Sequence, residues 1–421
     1  MAQLAAGSEN LEKLCRAYRE KGAVVHLEEL VGGALPFYAS ACVARCGGVH
    51  LFVAEDRDAA AYLLNDFYGL LDESHVCFFP SSWKRSAAYG AEDAQGVVQR
   101  TATMNALRSF DGQGYLVVCT YPEALAERVA DAEALQRGAI RVKVGDRIAI
   151  GALEQALVDA SFVRVDFVYE PGQYSLRGGI VDVFSYSESK PYRIDLFGDE
   201  VDSIRRFEIS SQLSSERLSE VAVIPDMNAA ADARRVSLAG FAGEEAAWWF
   251  YDADFVLRKV NDVRRKTVAD LDDPHRIDSL MTSRNGLLDD LAPNRLFILR
   301  DNLPERPATA TIEFSTAPQP RFNKNFEMLA DDMIGNALRG YKTYILSENK
   351  VQIERLENIF HRIGRGQAAV HAIGVTLHEG FVDRDLKLCL YTDHQIFDRY
   401  QRYRINGEIR RDEQMTVAEL N

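Results

Sequence analysis

Three residues near position 45 have the types and spacing of metal ligands. Cys42, Cys46 and His50 form a Cys-x3-Cys-x3-His pattern, and thiolate and imidazole groups are the usual zinc ligands in proteins. The two cysteines lie one turn apart on a predicted helix that ends at Gly47-Gly48, and His50 opens the next strand. Because a closed zinc site needs four ligands and no fourth lies nearby in the sequence, we interpret these residues as structural and expect no metal.

The segment Leu30–Tyr38 is the glycine-containing strand-to-helix turn placed to bind a nucleotide phosphate. A phosphate-binding loop needs glycines for close backbone approach, a lysine that reaches the β- and γ-phosphates, and a Ser or Thr that holds magnesium. This neutral segment has Gly32 and Gly33 but no lysine, and the chain has no Gly-Lys dipeptide. We therefore expect no triphosphate site of this kind and no bound cofactor.

The sequence also lacks the other common catalytic patterns. It has no G-x-S-x-G, no H-E-x-x-H, and no G-x-G-x-x-G after a strand. The carboxylate pairs Asp289-Asp290 and Asp331-Asp332 lie on or near predicted helices, where such pairs are usually solvated. The segment Phe297–Asp301 lacks the neighbouring Glu that magnesium binding and water activation need. The sequence thus predicts the shape of an ATPase domain with no catalytic residue.

The predicted strand Tyr192–Phe197 has the composition of a protein-binding surface. Side chains alternate along a strand, and those expected to face the core are Tyr192, Ile194 and Leu196. Arg193 and Phe197 then share the other face, and an aromatic ring beside an arginine is typical of a binding hot spot. The alternative is that Phe197 covers the sheet edge and Arg193 pairs with Asp195 or a neighbour, and the pattern alone leaves both open.

Glycines flank this strand on either side in the sequence. Gly178-Gly179 follows Arg177 and could form a bulge that aims the arginine. Gly198-Asp199-Glu200 is typical of a hairpin turn with an acidic rim.

The first 125 or so residues alternate helices with short apolar strands, which predicts a parallel α/β sheet covered on both faces. The predicted elements are helix 9–20, strand 49–54, helix 57–71, strand 76–80, helix 96–110 and strand 115–121. From about Arg128, strands follow one another without crossover helices, which indicates a small α+β domain with an antiparallel sheet. Its strands are predicted at 164–169, 174–185, 192–197 and 203–209.

After Pro225 the pattern returns to α/β. A helix at 244–260 and a strand at 295–299 indicate a return to the first domain, and 302–320, with four prolines, is predicted to be a linker. A last small α/β unit is predicted from helices 325–339 and 350–363 and strands 342–347, 368–375 and 386–392. The predicted domain limits are 1–127, 128–210, 211–315 and 316–421.

The composition narrows the class of protein. A chain of 421 residues is expected to hold two to four domains. Its net charge of −14 and lack of a dense basic tract argue against a protein that coats DNA, and favour a protein partner. Six scattered cysteines are typical of reduced thiols. Because neither a secretory signal nor a long apolar run is present, we expect a cytoplasmic protein without membrane contact.

Two segments of the predicted α+β domain resemble a signature shared by UvrB and the transcription-repair coupling factors (Mfd). They are EPGQYSLRGGIVDVF at 170–184 and PYRIDLFGDEVDSIRRFEI at 191–209. The resemblance extends to FFPSSWKRSAAYG, QRTATMNAL and VVCTYPEAL in the first domain and to LHEGF and LYTDHQIF in the last. UvrB has an intact phosphate loop, whereas the coupling factors keep UvrB-like domains in degenerate form. The chain therefore resembles the N-terminal UvrB-homology module of the coupling factors.

The resemblance implies a binding surface for UvrA in the second domain. Its key positions fall on Arg177, Arg193 and Phe197, with Asp199 and Glu200 as weaker candidates at the rim. The two arginines would pair with acidic groups of UvrA in fork geometry, and Phe197 would fill an apolar pocket.

For the whole protein, the resemblance implies recruitment of UvrA to lesion-stalled RNA polymerase in nucleotide excision repair. RNA polymerase and DNA would be bound through regions absent from this chain, and ATP and magnesium would serve a DNA translocase motor there. The chain itself would be a non-catalytic N-terminal fragment, ending about where the polymerase-interacting domain begins. It would expose a UvrA surface that the full protein keeps covered.

The sequence leaves two alternative functions to consider. An active UvrB-like helicase is disfavoured because it needs a phosphate loop. A scaffold for some other protein partner stays open.

Overall fold

The computed structural model describes residues 2–83, 93–226, 234–271, 273–300 and 303–405. Helices and strands alternate up to residue 130, with a single 3-10 turn at Glu73–His75. The elements of this part are α1 (Ala2–Ala5), α2 (Glu9–Tyr18), β1 (Val24–Glu28), α3 (Ala34–Cys46), β2 (Gly48–Val53), α4 (Arg57–Leu70), β3 (Val76–Phe78), α5 (Ala94–Ser109), β4 (Tyr115–Thr120), α6 (Pro122–Ala126) and β5 (Val129–Ala130).

Strands dominate the next part of the chain. Its elements are α7 (Ala132–Gly138), β6 (Ile140–Lys143), α8 (Ile150–Asp159), β7 (Val163–Arg164), β8 (Gln173–Arg177), β9 (Ile180–Val183), β10 (Tyr192–Phe197), β11 (Glu200–Phe207), β12 (Ser214–Leu218), β13 (Glu220–Val223) and β14 (Arg235–Val236).

Helices and parallel strands return after residue 236, with a 3-10 turn at Pro274–Arg276. The elements are α9 (Leu238–Ala242), β15 (Ala247–Asp252), α10 (Ala253–Asp270), α11 (Ile277–Leu280), α12 (Arg284–Leu291), β16 (Arg295–Arg300) and β17 (Ala310–Glu313). The last part of the chain contains β18 (Thr316–Pro318), α13 (Phe326–Leu338), β19 (Lys342–Leu346), α14 (Lys350–Arg362), β20 (His371–Ile373), β21 (Phe381–Asp383), β22 (Leu388–Thr392) and α15 (Asp393–Ile396).

The central sheet has seven strands in the order β17-β1-β16-β15-β2-β4-β3, and all neighbouring pairs are parallel. Such a sheet is buried on both faces, which explains its nearly continuous apolar strands. Trp249 lies in the middle of the core, with its ring stacked at 4.1 Å from Phe297 and 5.2 Å from Phe52 between ring centroids. Strands from both ends of the chain therefore share one core.

The second sheet is the support of the candidate functional surface. Its six strands run in the order β12-β11-β10-β9-β8-β7, antiparallel except for the short β7–β8 pair. Leu153 and Leu157 of α8 pack on its inner face. The third sheet, in the order β18-β21-β22-β19-β20, mixes parallel and antiparallel pairs. The predicted α/β architecture with an inserted antiparallel-sheet domain and a C-terminal small α/β domain is confirmed.

Three predicted elements differ from the structure. Residues 244–260, predicted as one helix, form strand β15 followed by α10, because the aromatic run Trp248-Trp249-Phe250 is buried in the sheet. The segment 174–185, predicted as one strand, is the hairpin β8–β9. The predicted linker 302–320 includes β17, which pairs with β1 at the edge of the central sheet.

The predicted domain limits stay a prediction, with one observation bearing on them. β12 and β13 lie beyond the predicted limit at 210, yet Val221 and Val223 of β13 join the core of the antiparallel sheet. The residues Lys84–Gly90 of one family-like segment, and the C-terminal Val417–Asn421, lie outside the described residues. Among the described residues, no helix is both long and apolar enough to cross a bilayer.

The third sheet is joined to the first domain near the Gly32–Gly33 turn. A Cβ atom at Gly33 would lie 2.1 Å from the backbone oxygen of Glu379. Next to it, Asp66 accepts a 2.6 Å hydrogen bond from the backbone N–H of His378. Tyr38 donates a 2.6 Å hydrogen bond to Asp383. Gly33 is thus required by a close backbone contact between two domains.

We predict that Gly33→Ala lowers the free energy of unfolding by about 1–3 kcal/mol, because the new methyl group must displace a backbone carbonyl. The matched control is Gly151→Ala, where the added Cβ meets nothing within 4 Å. Chemical denaturation of both variants checks this. Equal stability of the two variants would contradict the contact.

Candidate partner-binding surface

Strand β10 separates core residues from surface residues in the predicted way. Tyr192, Ile194 and Leu196 are buried in the core against α8. Arg193 is half-buried and Phe197 is exposed on the opposite side. The predicted alternation of β10 is confirmed, and it gives the outer face of the sheet a charged and aromatic character.

Phe197 is the most prominent apolar side chain of this face. It is 86% exposed, although it is the last residue of a paired strand. It pairs with Glu200 across the two-residue turn Gly198-Asp199, and Gly198 has a φ of 64°, which favours glycine. β10 is paired with β9 up to Asp195 and with β11 up to Phe197, so the ring is displayed at the end of a paired strand. Its apolar area can leave water only when a partner covers it.

A buried carboxylate on β9 holds the two arginines of this face. Asp182 has a side chain only 1% exposed and lies directly opposite Arg193 in the β9–β10 pair. It accepts hydrogen bonds from Nε and Nη2 of Arg193 at 2.7 and 2.8 Å, and a further one from Nη2 of Arg177. Two guanidinium groups around one carboxylate leave the cluster with a net positive charge, which favours an acidic partner.

The two arginines differ in what they can still offer to a partner. The Arg193 side chain is 15% exposed, uses its fork on Asp182, and donates from Nη1 to the backbone oxygen of Gln212 at 3.1 Å. Its guanidinium lies 4.4 Å from the ring centroid of Phe207, and the bonds to Asp182 raise its pKa. Arg177 is 36% exposed. The prediction that both guanidinium groups reach a partner therefore fits Arg177 better than Arg193. We interpret Arg193 as a positioning residue.

The remaining predicted positions lie at the rim. Asp199 and Glu200 are both exposed, at the turn that follows Phe197. The backbone oxygen of Asp199 accepts a 2.7 Å hydrogen bond from the N–H of Ile148, which ties the turn to the chain before α8. The predicted hairpin turn is confirmed.

One detail of the sequence interpretation is corrected, and one open alternative is resolved. Gly178-Gly179 is a tight turn that joins β8 to β9, with Arg177 paired to Ile180, and it is not a bulge. A Cβ at Gly179 would lie 2.6 Å from the backbone oxygen of Leu196, so this glycine permits close approach of the strands. Arg193 pairs with Asp182 instead of Asp195, whose carboxylate bonds Arg205 and Ser203.

Sequence reasoning missed Asp182, Phe207 and Phe167. The guanidinium of Arg177 lies 4.9 Å from the ring centroid of Phe167, which is 47% exposed. One signal was available for Asp182, because a lone acid inside the apolar strand Ile180–Val183 needs a buried cationic partner. The contribution of Phe167 required the three-dimensional arrangement.

A second concave site lies above the central sheet at the Gly32–Gly33 turn. This cavity of about 370 Å³ has an acidic lining. Its lining carboxylates are those of Glu55, Asp56, Asp58, Asp66 and Glu379, and no Lys or Arg of the described chain lines it. Burial raises the pKa of Asp66 well above its usual range. Although Arg300 lies 3.9 Å from Glu55, no cationic side chain of the described residues lines the cavity to bind a polyphosphate.

Comparison with protein families agrees with this geometry. Residues 140–228 match the family model of the UvrB interaction domain. The match covers strands β6 to β13, so it includes Arg177, Asp182, Arg193 and Phe197. The antiparallel-sheet domain is therefore the part of the chain that is similar to the UvrB interaction domain.

The chain is also similar to curated transcription-repair-coupling factors. It is 28% identical to that of Bacillus subtilis (strain 168) over 199 residues, 47% of this chain and 17% of the relative. It is 28% identical to that of Escherichia coli (strain K12) over 200 residues, again 47% and 17%, and 28% identical to that of Haemophilus influenzae over 155 residues, 37% and 13%. The matched part thus spans about a sixth of the first two relatives. The resemblance to the N-terminal UvrB-homology module of the transcription-repair coupling factors is confirmed.

We predict that Asp182→Ala lowers the free energy of unfolding by about 3 kcal/mol, because two arginines lose their buried counter-charge. The exposed Asp199→Ala is the matched control and should change it by less than about 0.5 kcal/mol. Denaturant titration of both variants checks this. An Asp182→Ala variant as stable as the control would show that the cluster does not hold the face.

Proposed function

We propose that this chain is the UvrA-recruiting module of a transcription-repair coupling factor. The UvrB interaction domain match and the similarity to named coupling factors support a role in transcription-coupled nucleotide excision repair through UvrA. The single observation that carries the proposal is Phe197, 86% exposed at the end of a paired strand beside a positively charged cluster.

The contact would work through a fixed aromatic anchor and one accessible cation. Phe197 enters an apolar pocket of UvrA, and Arg177 bonds an acidic group from its exposed side. Arg193 and Asp182 hold Arg177 and the strand in place, which lowers the ordering cost of binding. Asp199 and Glu200, as weaker candidates at the rim, would contact basic or polar groups around that pocket and contribute to specificity more than to affinity.

In the cell, the module would bring UvrA to RNA polymerase stalled at a lesion. We place this function in the cytoplasm. RNA polymerase and DNA would be bound by regions outside this chain, and ATP and magnesium would be used there by a translocase motor.

We further propose that the chain itself turns over no ATP. The Gly32–Gly33 turn has no lysine, the cavity beside it is lined by carboxylates, and Glu379, just before β21, lies against the turn. Phosphate binding needs backbone N–H groups and a cation where these acids lie. The parallel sheet then serves as a scaffold for the other domains.

Phe197→Ala is predicted to weaken UvrA binding by about 2 kcal/mol, because the central aromatic anchor of an interface is lost. Arg177→Ala is predicted to cost at least about 1 kcal/mol, and Arg193→Ala about 2 kcal/mol through loss of positioning. The measurement is calorimetric titration of purified UvrA with each variant.

The matched control is Leu338→Ala on α13, since Leu338 is an apolar residue 85% exposed in the third domain. It should bind UvrA as the parent chain does. Unchanged affinity of both Phe197→Ala and Arg177→Ala would place the UvrA surface elsewhere. No binding by the parent chain would reject the recruitment function itself.

No saturable binding of ATP and no magnesium-dependent hydrolysis are expected for this chain. The physical reason is the acidic cavity without a lysine. Titration with a fluorescent ATP analogue and a phosphate-release assay check this. The variants Asp66→Ala and Asp58→Ala test whether any signal comes from the cavity. Hydrolysis that these substitutions change would overturn the non-catalytic assignment.

A further inference from the structure

Three cysteine side chains from two helices converge in the first domain, away from the antiparallel sheet. Cys15 lies on α2, and Cys42 and Cys46 lie one turn apart on α3. Their sulfur atoms all lie within 4.8 Å of one another, and those of Cys42 and Cys46 are 3.9 Å apart. Cys15 and Cys42 are buried, and Cys46 is partly exposed.

These distances suit a single cation bound by three thiolates. With a metal–sulfur bond of about 2.3 Å, the sulfurs of a tetrahedral zinc site lie about 3.8 Å apart. The 3.9 Å separation of the Cys42 and Cys46 sulfurs already matches that edge. The sulfur of Cys15 lies within 4.8 Å of the other two, so a rotation of the Cys15 side chain can bring it to the third ligand position.

The surroundings favour a cation bound by thiolates. Cys46 is the last residue of α3, and the carbonyl end of a helix attracts positive charge. Partial exposure of Cys46 gives an entry path for the ion and room for a fourth ligand.

His50 does not supply that fourth ligand. Its Nδ1 accepts a 3.2 Å hydrogen bond from Nε1 of Trp249, so its Nε2 carries the proton and donates to the backbone oxygen of Gly47 at 2.9 Å. Among the described residues, no further His, Cys, Asp or Glu joins the three sulfurs. The Cys-x3-Cys-x3-His pattern therefore contributes two ligands, and the third comes from Cys15, 27 positions before Cys42 in the sequence.

We propose that Cys15, Cys42 and Cys46 form a three-thiolate site for a soft cation of the zinc class. The fourth position is open to water or an external ligand. Three thiols select soft ions such as Zn(II) over Mg(II), whose preferred ligands are oxygens. Binding would release the thiol protons and join α2 to α3.

The test uses Co(II) as a spectroscopic substitute for Zn(II), added to the reduced full chain. We expect one Co(II) per chain, with a sulfur-to-cobalt charge-transfer band that Zn(II) abolishes. Cys46→Ser, at the partly exposed position, should weaken Co(II) binding at least tenfold. Cys77→Ser, also partly buried but on β3 and outside the cluster, is the matched control and should bind as the parent does.

A second readout separates binding from misfolding. Zn(II) should raise the melting temperature of the parent chain and of Cys77→Ser, and leave that of Cys15→Ala unchanged. If thiol titration shows the three cysteines reduced and no charge-transfer band forms, the proposal is wrong. A band that survives in both Cys46→Ser and Cys15→Ala would overturn it as well.

Discussion

The buried carboxylate of Asp182 is the constraint on which the outer face of the antiparallel sheet depends. A charge taken out of water requires partners of opposite sign, and here Arg193 and Arg177 supply them from two neighbouring strands. Because Arg193 and Phe197 share strand β10, the same pairing helps to hold the strand that displays the exposed ring. The face is therefore ordered by its own charge pairs, and the bonds to Asp182 explain why the Arg193 side chain is largely buried.

A close backbone contact at the Gly32–Gly33 turn is the corresponding constraint in the central sheet. Its Gly32–Gly33 turn has the position of a phosphate loop, yet the backbone of Glu379 occupies the space beside Gly33. Carboxylates line the adjoining cavity. The parallel sheet can thus support the neighbouring domain, since a glycine that would let a loop approach a phosphate also lets another backbone approach closely.

Sequence patterns predicted what local periodicity controls. Alternation along β10 placed Phe197 outside and Ile194 inside, and the alternation of helices and strands predicted the parallel sheet. Sequence patterns failed where pairing with a distant strand determines the secondary structure. The aromatic run of β15 was included in a predicted helix, but it forms a strand that is buried between β2 and β16. Residues 310–313 lie in the proline-containing segment that was predicted to be a linker, but they form β17 because they pair with β1. The Asp182–Arg193 pair and the meeting of Cys15 with Cys42 depend on tertiary contacts that no local spacing encodes.

The order of the strands in the central sheet also affects how this chain folds during its synthesis. β1 lies between β17 and β16, so it leaves the ribosome long before either of these two neighbours has been made. The backbone N–H of Val24, for example, bonds Thr309, 285 positions later. Such contacts of high sequence separation form slowly, and β1 stays an unpaired strand throughout that synthesis. By contrast, the antiparallel sheet closes from consecutive strands and can fold while the rest is still being translated.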